Sequence, residues 1–336
     1  MQVASQAVAQ KAMLLSGIKP TSSLHIGNYV GALSQWVEAQ TAYESLFCIA
    51  NLHALTVPDA IKPNDLRAKS HEIAGLLIAC GIDPQISVIF LQSDVPAHAY
   101  LAWIFDCCTP VTWLERMTQY KSAQHDSASS GFLTYPALQA ADILIYKAKY
   151  VPVGDDQKQH IELTRDIAQR FNHLYGEYFP MPEALIRTSG ARIMGLDDPA
   201  VKMSKSLIKT HKGHAIGLLD SPDDIRKAIM SAVTDSGGEI AFETASLGIK
   251  NLLVLYEALS GQSRVEIEAH FATKGYGYLK KETADLVIQT LRPIQEKYTE
   301  IAADATYIDD ILADGAARAS LLANQTLADV RQLTGL

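Results

Sequence analysis

The chain has 336 residues, 48% of them hydrophobic, four cysteines and a formal net charge of −8. This is enough chain to bury a full core and to divide into two units. The acidic balance argues against a protein that coats nucleic acid non-specifically, because such binding comes mainly from Lys and Arg neutralising phosphates; DNA is not an expected partner, and an RNA bound briefly needs only local basic patches.

Residues 1–12 read as a short extension, because Met1 to Lys11 carry neither an apolar stretch typical of a signal nor the Arg enrichment of a transit peptide. No later apolar run reaches the ~18 residues that span a membrane. Cys48, Cys80, Cys107 and Cys108 form no C-x-x-C pair and no Cys/His ligand spacing, so no resident metal site and no disulfide scaffold is expected, and a reducing cytoplasm suits them.

Met13 to Ile18, Leu46 to Ala50 and Val88 to Leu91 read as strands, and Tyr29 to Gln40 and Leu66 to Cys80 as helices. That alternation predicts an α/β fold with a doubly wound parallel sheet of Rossmann type over residues 13–208. Ligands on such sheets gather at the carboxyl ends of the strands, where Lys19 to Asn28 and Asn51-Leu52-His53 follow. After about Ser206 helical patterns take over: Pro222 to Val233, Asn251 to Leu259, Lys281 to Tyr298 and Ile308 to Leu333. They predict an α-helical unit over residues 209–336, joined to the first by the Gly/Pro/Asp-containing stretch Ile193 to Lys212.

Ser16 to Asn28 leaves an apolar strand and enters a helix, so free backbone N–H groups would face a phosphate or ribose there. Gly27 leaves room for a flat ring, His25 and Asn28 are short donors, and Lys19 adds charge. Spacing alone fits equally a turn in which Ser23 or another hydroxyl caps the helix. Leu24-His25-Ile26-Gly27-Asn28 resembles the HIGH signature of class I aminoacyl-tRNA synthetases, with Asn28 in the place of the final His as in tryptophanyl members. The resemblance implies ATP binding by Lys19, Pro20, Thr21, Gly27 and Asn28 and phosphate stabilisation by His25. Ser22 and Leu15 depart from it, standing where Gly and an aromatic are common.

Lys202-Met203-Ser204-Lys205-Ser206 carries two ammonium groups on a segment that can follow a triphosphate as charge develops on its leaving group. An isolated K-x-x-K is usually a solvated turn, but this run reproduces the KMSKS signature of the same family. The resemblance extends through Ile193 in the lead-in and implies that Lys121, Lys202 and Lys205 serve the phosphates.

Tyr135, Gln139, Asp142 and Tyr146 are spaced i, i+4, i+7, i+11 and would share one helix face. Their neighbours are Ala, Leu and Ile, so the stripe is expected to face an internal pocket rather than water. Val151 to His160 reads as a strand end, a Gly turn and a helix start. The tryptophanyl resemblance implies that Asp142 accepts an indole N–H, that Tyr135, Gln139, His53, Gln157, Val151, Val153 and Gly17 complete the amino-acid pocket, and that Gly154, Asp155 and Asp156 meet the ATP ribose. It further implies Mg2+ accompanying ATP, L-tryptophan and tRNA(Trp) as partners, and a homodimer. A Tyr-x-x-x-Gln-x-x-Asp helix is also similar to tyrosyl-tRNA synthetases, which makes tyrosine the alternative substrate. A non-charging paralogue and a small-molecule nucleotidyltransferase are the other readings.

Overall fold

The computed structural model describes residues 11–57, 61–123, 128–185, 192–204 and 213–336. Lys205 and Ser206 lie outside the described residues.

Five strands, β1 (Met13–Ile18), β2 (Glu44–Ile49), β3 (Val88–Leu91), β4 (Tyr150–Pro152) and β5 (Glu183–Leu185), form one sheet in the order β3-β2-β1-β4-β5. Every pair is parallel, with Leu15 opposite Leu46, Leu46 opposite Val88 and Tyr150 opposite Glu183. Strands buried on both faces need continuous apolar runs, which MLLSGI and SLFCI supply. The order reverses between β1 and β4, so a crevice opens where their carboxyl ends diverge.

The helices are α1 (Ile26–Asn28), α2 (Ser34–Ala39), α3 (Asn51–Ala54), α4 (Pro63–Ala79), α5 (Ala97–Cys108), α6 (Val111–Leu114), α7 (Thr118–Lys121), α8 (Ser130–Leu144) and α9 (Lys158–Tyr175). After β5 come α10 (Pro222–Met230), α11 (Leu247–Ser260), α12 (Arg264–Phe271), α13 (Tyr276–Ala303) and α14 (Ala305–Thr334). Between α1 and α2 a π-helical turn spans Tyr29–Leu33, so the expected helix over 29–40 starts three residues earlier and carries a bulge, a feature that recurs near functional sites. Tyr146 falls just beyond the end of α8.

Side chains of successive strand residues part to opposite faces. Leu14, Phe47, Ile49 and Ile89 join one apolar cluster, which continues through α4 into α10, α11 and α13. Leu15, Leu46, Cys48 and Phe90 join a second cluster with α5, α8 and α9. Helix α14 serves both: Ile308 and Leu312 pack into the first cluster, Ala319, Ala323 and Val330 into the second. It crosses at Gly315, where a Cβ would stand 1.8 Å from the Ile89 carbonyl oxygen. Only glycine permits that approach, and through it the outer edge of β3 is covered.

Candidate active site

A cavity of about 500 Å3 opens at the carboxyl ends of β1, β2 and β4. Leu15, Gly17, Cys48 and Val151 reach it from the strands, and Tyr135, Gln139 and Asp142 from α8. The expected polar stripe of α8 thus turns inward.

Asp142 is only 6% exposed. Gln92 donates to its Oδ1 at 2.7 Å, His98 Nδ1 stands 2.6 Å from the same oxygen, and His53 Nε2 stands 2.8 Å from Oδ2. His98 Nε2 lies 2.7 Å from the Tyr146 hydroxyl. A carboxylate only accepts, so the His98 Nδ1–H points to Asp142. Burial pushes the Asp142 carboxyl upward, but the contacts with His53 and His98 outweigh it and hold the group at about 2. Three donors occupy about four acceptor positions. Among the described residues Oδ2 has a single partner, His53, which leaves it a further acceptor position.

Two turns earlier on α8 the Tyr135 hydroxyl meets His160 Nε2 of α9 at 2.9 Å. Burial lowers His160 to about 4 and raises Tyr135 to about 12, so both are neutral near pH 7. Gln139 donates to Gln157 at 3.3 Å, Gln157 donates to Asp156 Oδ2 at 3.1 Å, and Asp156 Oδ1 lies 3.7 Å from Lys202 Nζ. A polar chain therefore runs from the cavity wall to the lysine-bearing segment. Burial raises the Asp156 carboxyl, and the contacts with Gln157 and Lys202 bring it below its usual value.

The first signature pairs through its backbone with residues 216–218, and the second with its own lead-in. Ile26 N–H donates to Ile216 at 2.8 Å and Leu218 N–H to Leu24 at 3.0 Å, while Met203 N–H donates to Ile193 at 3.1 Å. Gly27 is held between the His25 ring and Ile193: a Cβ there would be 3.0 Å from His25 Nδ1 and 3.6 Å from Ile193 Cβ. The residue that caps the helix is His25, whose N–H donates to Asn28 Oδ1 at 3.0 Å. Ser23 instead accepts from Lys69 of α4, so no serine hydroxyl caps α1.

Among the residues singled out from sequence, Gly17, Lys19, His53, Val153 and Gln157 join Tyr135, Gln139, Asp142 and Val151 at the cavity. Lys19 is exposed at its mouth, with its ammonium pushed down by partial burial. Pro20 and Thr21 continue from it into a turn closed by Thr21 N–H on the Lys19 carbonyl. Gly154 leads into a 3-10 turn over Asp155–Gln157, the helical entry to α9. Ser204 is partly buried and Met203 fully so. Lys121, at the last position of α7, and Lys202 are exposed and do not line the cavity. Gln92, His98, Cys48, Phe132 and His160 belong to the site without having been singled out. Gln92, directly after β3, sits at the kind of strand end where ligand contacts collect, and that was its only sequence signal.

Residues 8–292 match the family model described as tRNA synthetases class I (W and Y). The chain belongs to the class I tRNA synthetases of this tryptophan and tyrosine type. Among relatives of this synthetase family, a tryptophan–tRNA ligase of Wolinella succinogenes is 47% identical over 97% of this chain and 99% of its own. The crystal structure of tryptophanyl-tRNA synthetase from Mycoplasma pneumoniae superposes with a TM-score of 0.88 at 33% identity, covering 97% of this chain and 98% of that one. The Campylobacter jejuni tryptophanyl-tRNA synthetase complexed with ADP and tryptophan gives 0.82 at 34% identity, covering 96% and 100%. The Rossmann-type sheet expected from sequence is thus the sheet of a class I synthetase.

Proposed function

We propose that this chain is a tryptophan–tRNA ligase: it activates L-tryptophan with ATP and transfers it to tRNA(Trp). The observation that carries the reading is the cavity holding the buried, ionised Asp142, whose Oδ2 has one hydrogen-bond partner among the described residues and can accept from an indole N–H. A site built around such an acceptor rejects analogues lacking the donor by roughly 10⁴ to 10⁵. The Wolinella succinogenes relative named as a tryptophan–tRNA ligase, and the Campylobacter jejuni neighbour holding ADP and tryptophan, support the same substrates.

In the first step a tryptophan carboxylate oxygen attacks the α-phosphorus of ATP and pyrophosphate leaves. In the second the 2′-hydroxyl of the terminal adenosine attacks the acyl carbon and AMP leaves. No side-chain nucleophile is needed, so the protein works by placement and by charge directed at the phosphates. Tyr135, Gln139 and Gln157 orient the amino-acid backbone, with His53 beside the indole acceptor. Lys19, Pro20, Thr21, His25, Gly27 and Asn28 serve ATP from the first signature, and Gly154, Asp155 and Asp156 its ribose. Ile193, Met203, Ser204 and Ser206 carry Lys202 and Lys205, which with Lys121 follow the triphosphate. Magnesium enters in this reading as the ion of Mg-ATP; among the described residues no three His, Cys, Asp or Glu side chains gather as a metal site.

Residues 13–208 supply this chemistry and residues 209–336 receive the anticodon stem. The exposed apolar residues Tyr100, Trp103 and Val111 on α5 and α6 form the contact of a homodimer. Among the described residues no helix is long and apolar enough to cross a membrane, and the enzyme works in the cytoplasm. The test is tryptophan-dependent exchange of labelled pyrophosphate into ATP, run against tyrosine, followed by charging of bulk tRNA. Exchange with tyrosine alone, or none with either, overturns the reading.

A further inference from the structure

Residues 214–218 are the common neighbour of the two signatures. Their backbone pairs with Leu24 to Ile26, through the Ile26–Ile216 and Leu218–Leu24 hydrogen bonds and a bridge between His25 and Gly217. Their first member reaches the other signature. His214 is 1% exposed, with Nδ1 2.5 Å from Asp197 Oδ1 and Nε2 3.3 Å from the carbonyl oxygen of Lys202.

The surroundings are shaped to this ring. A Cβ on Gly195 would lie 2.2 Å from His214 Cε1, so the glycine lets the main chain close over the imidazole. Leu196 N–H donates to the His214 carbonyl at 3.1 Å, and Gly195 N–H donates to Val201 at 2.8 Å. Met194 and Lys202 form an antiparallel bridge. Asn251 of α11 accepts from Met194 N–H at 2.8 Å and donates to its carbonyl at 2.9 Å. The lead-in and the start of the lysine signature are therefore clamped between Asn251 and His214. A residue that merely filled this space would be apolar, since each buried polar atom must find a partner. Nδ1 faces the Asp197 carboxylate and Nε2 the Lys202 carbonyl, and the ring donates to both when each nitrogen carries a proton.

We infer that His214, anchored by Asp197, is a positioning residue that fixes the main chain at Lys202 relative to the His25 turn. It touches no substrate. Because residues 214–218 are paired with the first signature, any displacement of that turn moves the grip on Lys202, whose ammonium stands beside Asp156. The two ATP-handling segments are thereby held as one unit. The consequence for catalysis rests on the function proposed above.

His214→Ala and His214→Gln are compared with the parent full-length chain; the glutamine keeps a donor for the Lys202 carbonyl. The alanine variant is expected to lower the exchange kcat by about tenfold, with the tryptophan KM within about twofold. The glutamine variant recovers at least a third of the parent kcat. Amide hydrogen exchange in the peptide covering residues 193–204 rises about tenfold in the alanine variant and returns towards the parent rate in the glutamine variant. An unchanged exchange kcat in His214→Ala, equal loss in both variants, or a tryptophan KM rising in step with the fall in kcat overturns the catalytic role. If the parent chain lacks pyrophosphate exchange, the proposed function fails; amide protection then decides the clamp alone, and unchanged protection in His214→Ala overturns it.

Discussion

Tyr135 on α8 and His160 on α9 are joined hydroxyl to ring nitrogen at 2.9 Å across the wall of the cavity. His160 Nδ1 is buried without a hydrogen-bond partner among the described residues, and burial, aided by His53 and opposed by Asp156, lowers the ring to about 4. The folded value lies below the ordinary 6.5, so the unfolded chain binds a proton first. Stability is full above about 6.5, declines as the pH falls, and has lost this contribution below about 4, on the order of 3 kcal/mol in all. Thermal unfolding midpoints measured between pH 7 and 4.5 should fall accordingly. His160→Gln should flatten that slope, and an unaltered slope would show that other groups cause it.

Asp142 gathers Gln92, His53 and His98 at distances of 2.6 to 2.8 Å. Asp142→Asn leaves one oxygen for three donors, so some of them lose their partner. Tryptophan-dependent exchange should drop by at least about 100-fold in kcat/KM, and the preference for tryptophan over tyrosine should narrow. Asp142→Ala should relax the choice of amino acid further. Selection as sharp as in the parent would remove the indole assignment. The folded carboxyl sits at about 2, below its ordinary value. Its contribution to stability is thus present above about pH 4 and fades as the pH falls towards 2.

For the lysine signature the expected outcome separates chemistry from binding. Lys205→Ala should slow adenylate formation by about 100-fold or more and leave the tryptophan Kd within about threefold. Pyrophosphate exchange and equilibrium dialysis measure the two. Equal exchange in variant and parent refutes the role given to Lys205.

Gly315 and Gly277 offer a matched pair. A Cβ at Gly315 would collide with the Ile89 carbonyl, whereas among the described residues nothing lies within 4 Å of one at Gly277. Gly315→Ala should cost about 2 kcal/mol or more in urea denaturation. Gly277→Ala, in the first turn of α13, should be neutral or gain up to about 1 kcal/mol. Equal midpoints would mean that α14 does not press on β3.

Trp103 is 68% exposed, beside Tyr100 and ahead of Val111. Trp103→Glu places a charge in that apolar face, so sedimentation should show a shift from dimer to monomer at micromolar concentration. A parent chain that sediments as a monomer disproves the proposed contact.

Met13–Ile18 and Val88–Leu91 were legible to the residue, because strands covered on both faces write themselves as uninterrupted apolar runs. Glu44 concealed the true start of β2, and the three-residue β5 is too short to carry a period. The inward face of α8 was legible because Tyr135, Gln139 and Asp142 repeat at helical spacing among apolar neighbours. The partners of Asp142 were not: Gln92 lies 50 residues away and His98 lies 44, on separate elements. A lone histidine in a helix announces no partner. The His214–Asp197 contact was hidden for the same reason, since only the folded backbone brings the two together.

The crossing of α14 over β3 also governs how the molecule is made. Arg318 donates to the Pro84 carbonyl across 234 positions of chain, so the edge of the sheet is sealed by a helix synthesised long after it. Until α14 docks, a nascent or truncated chain presents an open strand edge, available to any other strand it meets. Closing so long a loop also slows folding. Chains shortened before residue 305 should therefore aggregate where the full chain does not, because they lack the helix that seals β3.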